Sequence, residues 1–416
     1  MVAMDVRSDP SRDIRDEIAA ETSIEEPLEK IWFHKTAAAV IDAGRCVRCG
    51  SCIAACPSGS IAIAADRLPT LVRMCTGCSC CWDFCPMAGL RSERLQQLWV
   101  QDHTAVVPSE VPDSVGPVLA AYAARARERA PGAQDGGVVT ALLEALLEQG
   151  YVDGALVTRK EGALGGRPVL ATTPADVRSA AGSVYEQTFA LSALAQPLPP
   201  GITEIALVGT PCQINGLRAL QRFPWRYRQA PVAQVKLAIG LFCTRSFDAQ
   251  RLALALLRSG VELRRVAKVD IREGQFRVYD ARGELLFETR VSALHRAALR
   301  GCDECADFTA VLADIAVGNV GSPRGYTTVL VRTDRGAEAW AHAAAALEAT
   351  PLSDLSEVAA LAARNRARAR RALRRPYDPD QPVWISYSEH LAHYLGTEAA
   401  PVSPPAHRSH HYTVAC

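Results

Sequence analysis

A run of cysteines that ends in proline occurs twice in the first quarter of this chain. The two runs are Cys46-x2-Cys49-x2-Cys52-x3-Cys56-Pro57 and Cys75-x2-Cys78-x2-Cys81-x3-Cys85-Pro86. This spacing is typical of bacterial modules that hold two [4Fe-4S] clusters and pass single electrons between them. Zinc ribbons use separate CxxC pairs rather than a triple run closed by Cys-Pro, so zinc is disfavoured. The sequence therefore predicts an electron-carrying module.

In such modules the last cysteine of each run ligates the other cluster, which folds the two halves into one unit. One predicted ligand set is Cys46, Cys49, Cys52 and Cys85. The other predicted ligand set is Cys75, Cys78, Cys81 and Cys56. Cys80 does not fit the spacing, and we predict that it is a spare buried thiol.

Length and charge narrow the class of protein further. A chain of 416 residues has room for two or three domains. A formal net charge of +1 gives no overall field that would attract nucleic acid. Clusters and free thiols indicate a reducing compartment, and no apolar run is long enough to span a membrane. We expect a cytoplasmic protein that has no export signal, no membrane span and no nucleic-acid partner.

The sequence divides into four predicted regions. These are a flexible arm (1–38), a ferredoxin module of the α+β class (39–95), an α/β layered domain (115–345) and an arginine- and alanine-rich helical tail (350–416). In the third region a helix follows Gly136-Gly137 and ends on Gly150, and another is expected from about Ile214. Apolar strands are predicted at 153–158, 204–209, 236–243, 313–321 and 327–336, with a further helix over 337–349. Alternating strands and helices favour layers with loops that carry the site.

The tail places arginines on one predicted helical face. Arg364, Arg368, Arg371 and Arg375 follow one another at helical spacing. The simpler interpretation is a solvated face, and the alternative is a docking surface for an acidic partner or ligand.

A second set of cysteines lies in the α/β region: Cys212, Cys243, Cys302 and Cys305. The first two follow predicted strands, and the others form a CxxC pair. Strand ends at one edge of an open sheet converge, so these four thiols are expected to meet. Their number suits a further [4Fe-4S] cluster, a structural zinc site, or ordinary buried cysteines.

Five segments in order carry a family resemblance: GGVVTALLEALLEQGYVDGALVT, GTPCQINGLRAL, IGLFC, CDECADF followed by ADIAVGNVG, and TTVLVRTDRG. Over roughly residues 115–340 the chain resembles the beta subunit of coenzyme F420-reducing hydrogenases and dehydrogenases. The resemblance implies an α/β layered flavin-binding domain with bound FAD and a pocket for the deazaflavin coenzyme F420. It also implies a third [4Fe-4S] cluster, whose ligands are Cys212, Cys243, Cys302 and Cys305.

The flavin contacts implied by the resemblance lie in two glycine-rich loops. The chain has no G-x-G-x-x-G after a strand, so a Rossmann site is unsupported. Gly136 and Gly137 precede a helix whose free N–H groups suit a pyrophosphate, and Thr140 adds a hydroxyl. The other loop is GNVGSPRG, in which Arg324 is expected to reach an anionic group. Without the resemblance, an ordinary turn or cap is the favoured interpretation of each glycine.

These parts predict an F420-linked oxidoreductase, with no catalytic acid or base identified. Electrons would pass between F420, FAD, the third cluster, the two ferredoxin clusters and a redox partner protein or catalytic subunit, in either direction. One alternative is a ferredoxin-dependent flavin reductase of an organic substrate, like the chlorophyll-reductase branch of the family. Another is a non-catalytic subunit that wires electrons within a larger complex. FAD and FMN are not distinguished.

Overall fold

The computed structural model describes residues 29–103, 112–224 and 231–403. Most of the predicted arm, Cys416 and parts of the connector and tail lie outside the described residues. At the end of the arm, Phe33 is buried and the Trp32 ring packs on the backbone of Gly77. These two aromatic residues attach the arm to the cysteine-rich module.

The cysteine-rich module consists of two similar halves. Its elements are α1 Phe33–Thr36, α2 Ser51–Ala54, β1 Ile61–Ile63, β2 Pro69–Leu71, α3 Cys80–Asp83 and α4 Ser92–His103, with a π-helical turn Ala37–Asp42 after α1. A left-handed residue precedes each of the matching helices, Gly50 (φ 92°) before α2 and Ser79 (φ 64°) before α3. This conformation turns the chain sharply. The third cysteine of each run therefore comes back toward the first two.

The second part of the chain contains a mixed eight-stranded sheet and a separate three-stranded sheet. Their strands are β3 Ala120–Ala126, β4 Gly154–Glu161, β5 Gly165–Ala171, β6 Ile205–Gly209, β7 Val235–Leu241, β8 Lys268–Arg272, β9 Gln275–Tyr279, β10 Leu285–Arg290, β11 Ile315–Gly318, β12 Thr327–Val331 and β13 Leu347–Pro351. The large sheet has the order β13-β3-β12-β11-β7-β6-β4-β5. Strands β4, β6, β7 and β11 are parallel, as alternating strands and helices predict, but the strands on either side are antiparallel.

The remaining helices are α5 Val138–Glu148, α6 Pro174–Ser179, α7 Pro211–Arg222, α8 Ala249–Arg258, α9 Asp334–His342, α10 Ser356–Ala372 and α11 Tyr387–Tyr394. The predicted helix after Gly137 is confirmed. The helix expected from Ile214 begins earlier, at Pro211, because Thr210 and Gln213 form a capping box. The helix predicted over 337–349 is wrong at its end, since β13 pairs with β3 there. No helix among the described residues is long and apolar enough to cross a membrane.

Both faces of the large sheet are buried, which explains why its central strands are apolar throughout. Helices α5 and α9 cover one face through residues such as Leu142 and Ala339. Helix α7, the cysteine-rich module and the tail form the core on the other face, where Leu217, Phe84 and Trp384 belong to one cluster. The module is therefore packed against the α/β domain.

The three-stranded sheet (β8 to β10) was not predicted from the sequence. Its first turn is Glu273-Gly274, and both residues are left-handed, with φ of 55° and 73°. Such a pair is typical of a two-residue hairpin turn. The Glu-Gly pair between alternating apolar residues could therefore have predicted this hairpin from the sequence. Phe276 and Val278 bury one face of this hairpin against Phe247 and Leu252.

Candidate functional site: three cysteine groups and a basic cleft

The first cysteine group surrounds an apolar cavity in the module. Cys46, Cys49, Cys52 and Cys85 line this cavity together. Phe33, Val47, Met87 and Phe189 contribute apolar walls. Three of these cysteines come from the first run and the fourth from the second, as crossed ligation requires.

The second cysteine group surrounds a second cavity in the module. Its cysteines are Cys56, Cys75, Cys78 and Cys81. Three members again come from one run and one from the other. Cys78 is exposed, whereas Cys81 is buried. This cavity therefore lies at the surface of the module.

The chemistry of both groups fits an iron–sulfur cluster. All their cysteines are free thiols. Burial raises the pKa of Cys52 well above its usual value, and the other three members of its group raise it further. Four thiolates packed in this way require a positively charged centre. Backbone N–H groups also point at sulfur in matching positions, from Arg48 to Cys46 Sγ and from Gly77 to Cys75 Sγ, each at 3.4 Å.

Four cysteines of the α/β domain form the third cysteine group: Cys212, Cys243, Cys302 and Cys305. Cys243 and Cys302 both contact Ser246, and Cys212 and Cys305 line one pocket. Cys212 lies in the first turn of α7, and Cys243 follows β7, which is next to β6 in the sheet. Burial raises the pKa of Cys305, and the charges of Asp307, Cys302 and Cys243 raise it further. Burial also raises the pKa of Cys212, and the charges of Cys49 in the module and of Cys305 raise it further. These mutual effects agree with the contacts that the four cysteines share.

Among the described residues, no group of three or more His, Cys, Asp and Glu side chains is arranged to hold a metal ion. A [4Fe-4S] cluster differs from a single ion because its four thiolates bind four separate irons around a core. His390 is buried, and its ring stacks on that of Tyr394 with the centroids 4.2 Å apart.

The first and third cysteine groups are in direct contact through their loops. A Cβ atom at Gly301, beside Cys302, would lie 1.9 Å from the carbonyl oxygen of Arg45, beside Cys46. A Cβ atom at Gly216 in α7 would lie 1.9 Å from Ser51 Oγ. Only glycine allows these approaches. The loops that carry the two groups therefore touch without an intervening side chain.

Buried ion pairs fasten the module to the domain. Arg45 forms a bidentate pair with Glu304, at 2.8 Å from Nε to Oε1 and 2.7 Å from Nη2 to Oε2. Arg48 pairs with Asp248, and Arg67 lies 3.1 Å from Glu186. Buried pairs of this kind fix one relative orientation of the parts they join.

A basic cleft lies in the α/β domain. It has about 1020 Å³ of empty space, and its lining residues are Arg129, Gln134, Asp135, Lys268, Asp270, Arg272, Glu273, Arg277, Tyr279, Arg324 and Gly325. One wall comes from the segment before α5, one from the GNVGSPRG loop, and one from the unpredicted β8–β9 hairpin. The structure thus brings the two predicted glycine-rich loops together.

The backbone N–H groups of Gly136 and Gly137 were expected to face a pyrophosphate, but they donate hydrogen bonds within the protein instead. The Gly136 N–H donates to Thr327 Oγ1 at 3.1 Å, and the Gly137 N–H donates to the Gln134 carbonyl at 2.9 Å. Gly136 is needed because a Cβ atom would lie 2.5 Å from the Ala124 carbonyl oxygen. Free N–H groups begin in the first turn of α5, which includes the buried Thr140.

The GNVGSPRG loop connects the cleft to the third cysteine group. Its last residues, Arg324 and Gly325, line the cleft. Its first residue, Gly318, packs so closely on Phe242 that a Cβ atom would lie 2.1 Å from the ring. Phe242 precedes Cys243 in the chain. A single loop therefore reaches from the cleft to a cysteine of the third group.

The tail arginines do not form one solvated face. Arg364 and Arg371 are exposed, but Arg368 contacts the loops of the third cysteine group. Arg375 lies beyond the end of α10 and pairs with the buried Glu93 at 2.5 Å. The simple solvated-face interpretation is wrong for these two, because the tail folds back over the domain and the module.

Two cysteine-lined cavities in a doubled-run module, joined to a mixed α/β domain, define an iron–sulfur redox protein. Residues 38–88 match the 4Fe-4S dicluster domain family. Residues 121–195 and 202–354 match the coenzyme F420 hydrogenase/dehydrogenase beta subunit, in its N-terminal and C-terminal parts respectively. The chain belongs to this beta-subunit family, and the resemblance recognised in its motifs is confirmed.

Individual relatives agree with this assignment. The coenzyme F420-dependent sulfite reductase of Methanocaldococcus jannaschii is 32% identical over 72% of this chain and 46% of its own length. The coenzyme F420 hydrogenase subunit beta of Methanosarcina barkeri is 34% identical over 51% of this chain and 74% of its own length. A chain of the F420-reducing [NiFe] hydrogenase complex from Methanosarcina barkeri has a TM-score of 0.60 and 29% identity, over 67% of this chain and 98% of that one. This chain spans about half the length of the sulfite reductase.

Proposed function

We propose that this protein is an F420-linked oxidoreductase that moves electrons between coenzyme F420 and a partner redox protein. The observation that carries the proposal is the continuous series of a basic cleft, the third cysteine group and two module cavities. FAD, when bound, supplies the conversion between a hydride and two single electrons. The three cysteine groups would each hold a [4Fe-4S] cluster and accept those electrons one at a time.

The basic cleft suits the anionic parts of FAD and F420. Lys268 and Arg324 lie on different walls, and neither forms a salt bridge among the described residues. Arg272 is instead neutralised by Asp135 at 2.7 Å. Arg129 also lacks a salt bridge among the described residues, but its guanidinium donates to the Ala133 carbonyl oxygen. We therefore assign Lys268 and Arg324 to phosphate or carboxylate groups. The first turn of α5 would add N–H donors.

The order of the cysteine groups supports a relay. The third group is joined to the cleft by the GNVGSPRG loop and to the first group by the Gly301 contact. Cys212 and Cys49 belong to one buried cluster, and the pKa of Cys212 is raised first by burial and then by the charge of Cys49. The tilted rings of Phe242 and Phe308 lie beside Cys243 of the third group, with their centroids 5.2 Å apart. The protein's own task is to hold these centres at short range in a dry interior.

The second cysteine group is the proposed contact for the partner. Around the exposed Cys78, three apolar side chains face solvent: Trp32 is 42% exposed, Val72 41% and Met74 82%. Exposed apolar side chains gathered near a functional group are typical of a protein interface. We assign this surface to a redox partner protein or catalytic subunit.

The test is an anaerobic mixing experiment with protein reconstituted with iron, sulfide and FAD. Reduced F420 should be oxidised stoichiometrically while flavin and cluster absorbance bleach. Arg324→Gln should raise the KM for reduced F420 or lower flavin occupancy, because an unpaired cation is removed from the cleft. Arg296→Gln is the matched control, since Arg296 is exposed and does not line the cleft.

Other outcomes would point to the alternatives. If reduced ferredoxin bleaches the flavin and reduced F420 does not, the protein is a ferredoxin-dependent reductase. If the purified chain binds no flavin, it is an electron-wiring subunit.

A further inference from the structure

Helix α10 lies beyond residue 354, where the family match ends, yet it contacts both loops that carry the third cysteine group. Arg368 Nη2 donates to the carbonyl oxygen of Thr244 at 2.8 Å and to that of Cys302 at 3.0 Å. Thr244 directly follows Cys243. One guanidinium therefore ties the loop after β7 to the CxxC loop.

A second side chain on the same helix extends this contact. Asn365 lies three residues before Arg368, so the two side chains share a helical face. Asn365 is 3% exposed, and its Nδ2 donates to the carbonyl oxygen of Cys305 at 3.1 Å. Helix α10 thus holds the backbone of both cysteines in the CxxC pair.

The charges around this contact leave a cation facing the cysteines. Arg368 Nε is buried and has no hydrogen-bond partner among the described residues. Its nearest acid, Asp303, is 3.8 Å away and already pairs with Arg245 at 3.0 Å. Two further acids lie near these thiols, and both are engaged: Glu304 pairs with Arg45, and Asp307 accepts hydrogen bonds from the Val311 N–H and from side-chain amides of α4 and α7. On the α10 side of the third cysteine group, the two positive charges of Arg245 and Arg368 therefore face the single negative charge of Asp303.

We propose that Arg368 is a positioning and charge-compensating residue that makes the third cluster easier to reduce. The proposal rests on the proposed function, because it requires a [4Fe-4S] cluster on the third cysteine group. A [4Fe-4S] cluster held by these four cysteines would be negatively charged and would take up one electron on reduction, with no bond formed or broken. A nearby buried cation stabilises the added charge, and net charge and hydrogen bonding set cluster potentials.

The test is a redox titration of the reconstituted protein followed by electron paramagnetic resonance. Arg368→Gln should lower the reduction equilibrium constant of the third cluster about tenfold, which is about 59 mV for one electron. The two module clusters should keep their potentials. Arg368→Lys keeps the charge and should restore most of the shift. Arg364→Gln, on the exposed face of the same helix, is the matched control and should change nothing.

The possible failures are distinguishable. If the unaltered protein binds only enough iron for two clusters, the proposed function fails at its third cluster. If three clusters form and Arg368→Gln leaves every potential unchanged, the proposed role of Arg368 is refuted while the relay stands. If Arg368→Gln loses the third cluster, a normal potential in Arg368→Lys supports the charge role. Loss of the cluster in both variants overturns it in favour of a purely structural one.

Discussion

The buried pair between Arg45 and Glu304 should be one of the strongest links between the module and the α/β domain. The two side chains are 2% and 7% exposed and meet through two hydrogen bonds. Tyr394 of α11 also donates to Glu304 at 2.9 Å and stacks under the Arg45 guanidinium at 4.2 Å. Arg45→Met leaves a buried carboxylate without its cation, which typically costs about 3–5 kcal/mol.

The assay is anaerobic unfolding in urea, followed by cluster absorbance and by circular dichroism. With a denaturant slope of about 3 kcal/mol per M, a loss of about 3 kcal/mol lowers the urea midpoint by about 1 M. Glu304→Leu should lower it similarly, because it leaves a buried guanidinium unpaired. The double variant Arg45→Met with Glu304→Leu should be more stable than the sum of the single effects predicts, since neither charge then remains alone.

The control is Arg300→Gln, in the same loop. Arg300 lies 3.9 Å from Glu398, and both side chains are exposed, so this pair should contribute no more than about 1 kcal/mol. The reasoning is refuted if Arg45→Met shifts the midpoint no more than this control does. It is also refuted if the double variant is destabilised by the full sum of the two single variants.

Two further predictions concern the cysteine groups. Cys46→Ala combined with Cys56→Ala should remove both module clusters, because crossed ligation places these two cysteines of the first run in different cysteine groups. Loss of the iron and sulfide of only one cluster would show that each run binds a cluster by itself. Cys80→Ala should retain all iron. Gly301→Val should force the first and third cysteine groups apart, because its Cβ would lie 1.9 Å from the Arg45 carbonyl oxygen. Rapid mixing should then show slower reduction of the module clusters and unchanged reduction of the flavin. An unchanged rate of module-cluster reduction would contradict the proposed path.

Local patterns in the sequence predicted many of the elements correctly. The apolar spacing after Gly137 predicts α5, and the apolar runs at 204–209 and 236–243 correspond to β6 and β7. These features depend on neighbours within a few residues, so they can be read from a single sequence. The cysteine spacing is also local, which is why two runs of the same pattern indicate two similar half-modules before any contact is known.

Longer-range features required the tertiary structure. The sequence predicts that Cys212 and Cys243 follow strands, but only the adjacency of β6 and β7 brings them together. The outer wall of the cleft comes from β8 and β9, a hairpin whose cations were not expected there. Arg368 appears in the sequence as one of several spaced arginines, and the fold alone places it against the Cys302 carbonyl. Helical spacing determines which side chains share a face, whereas burial and pairing depend on the segment that packs against that face. That segment is often hundreds of residues away in the chain.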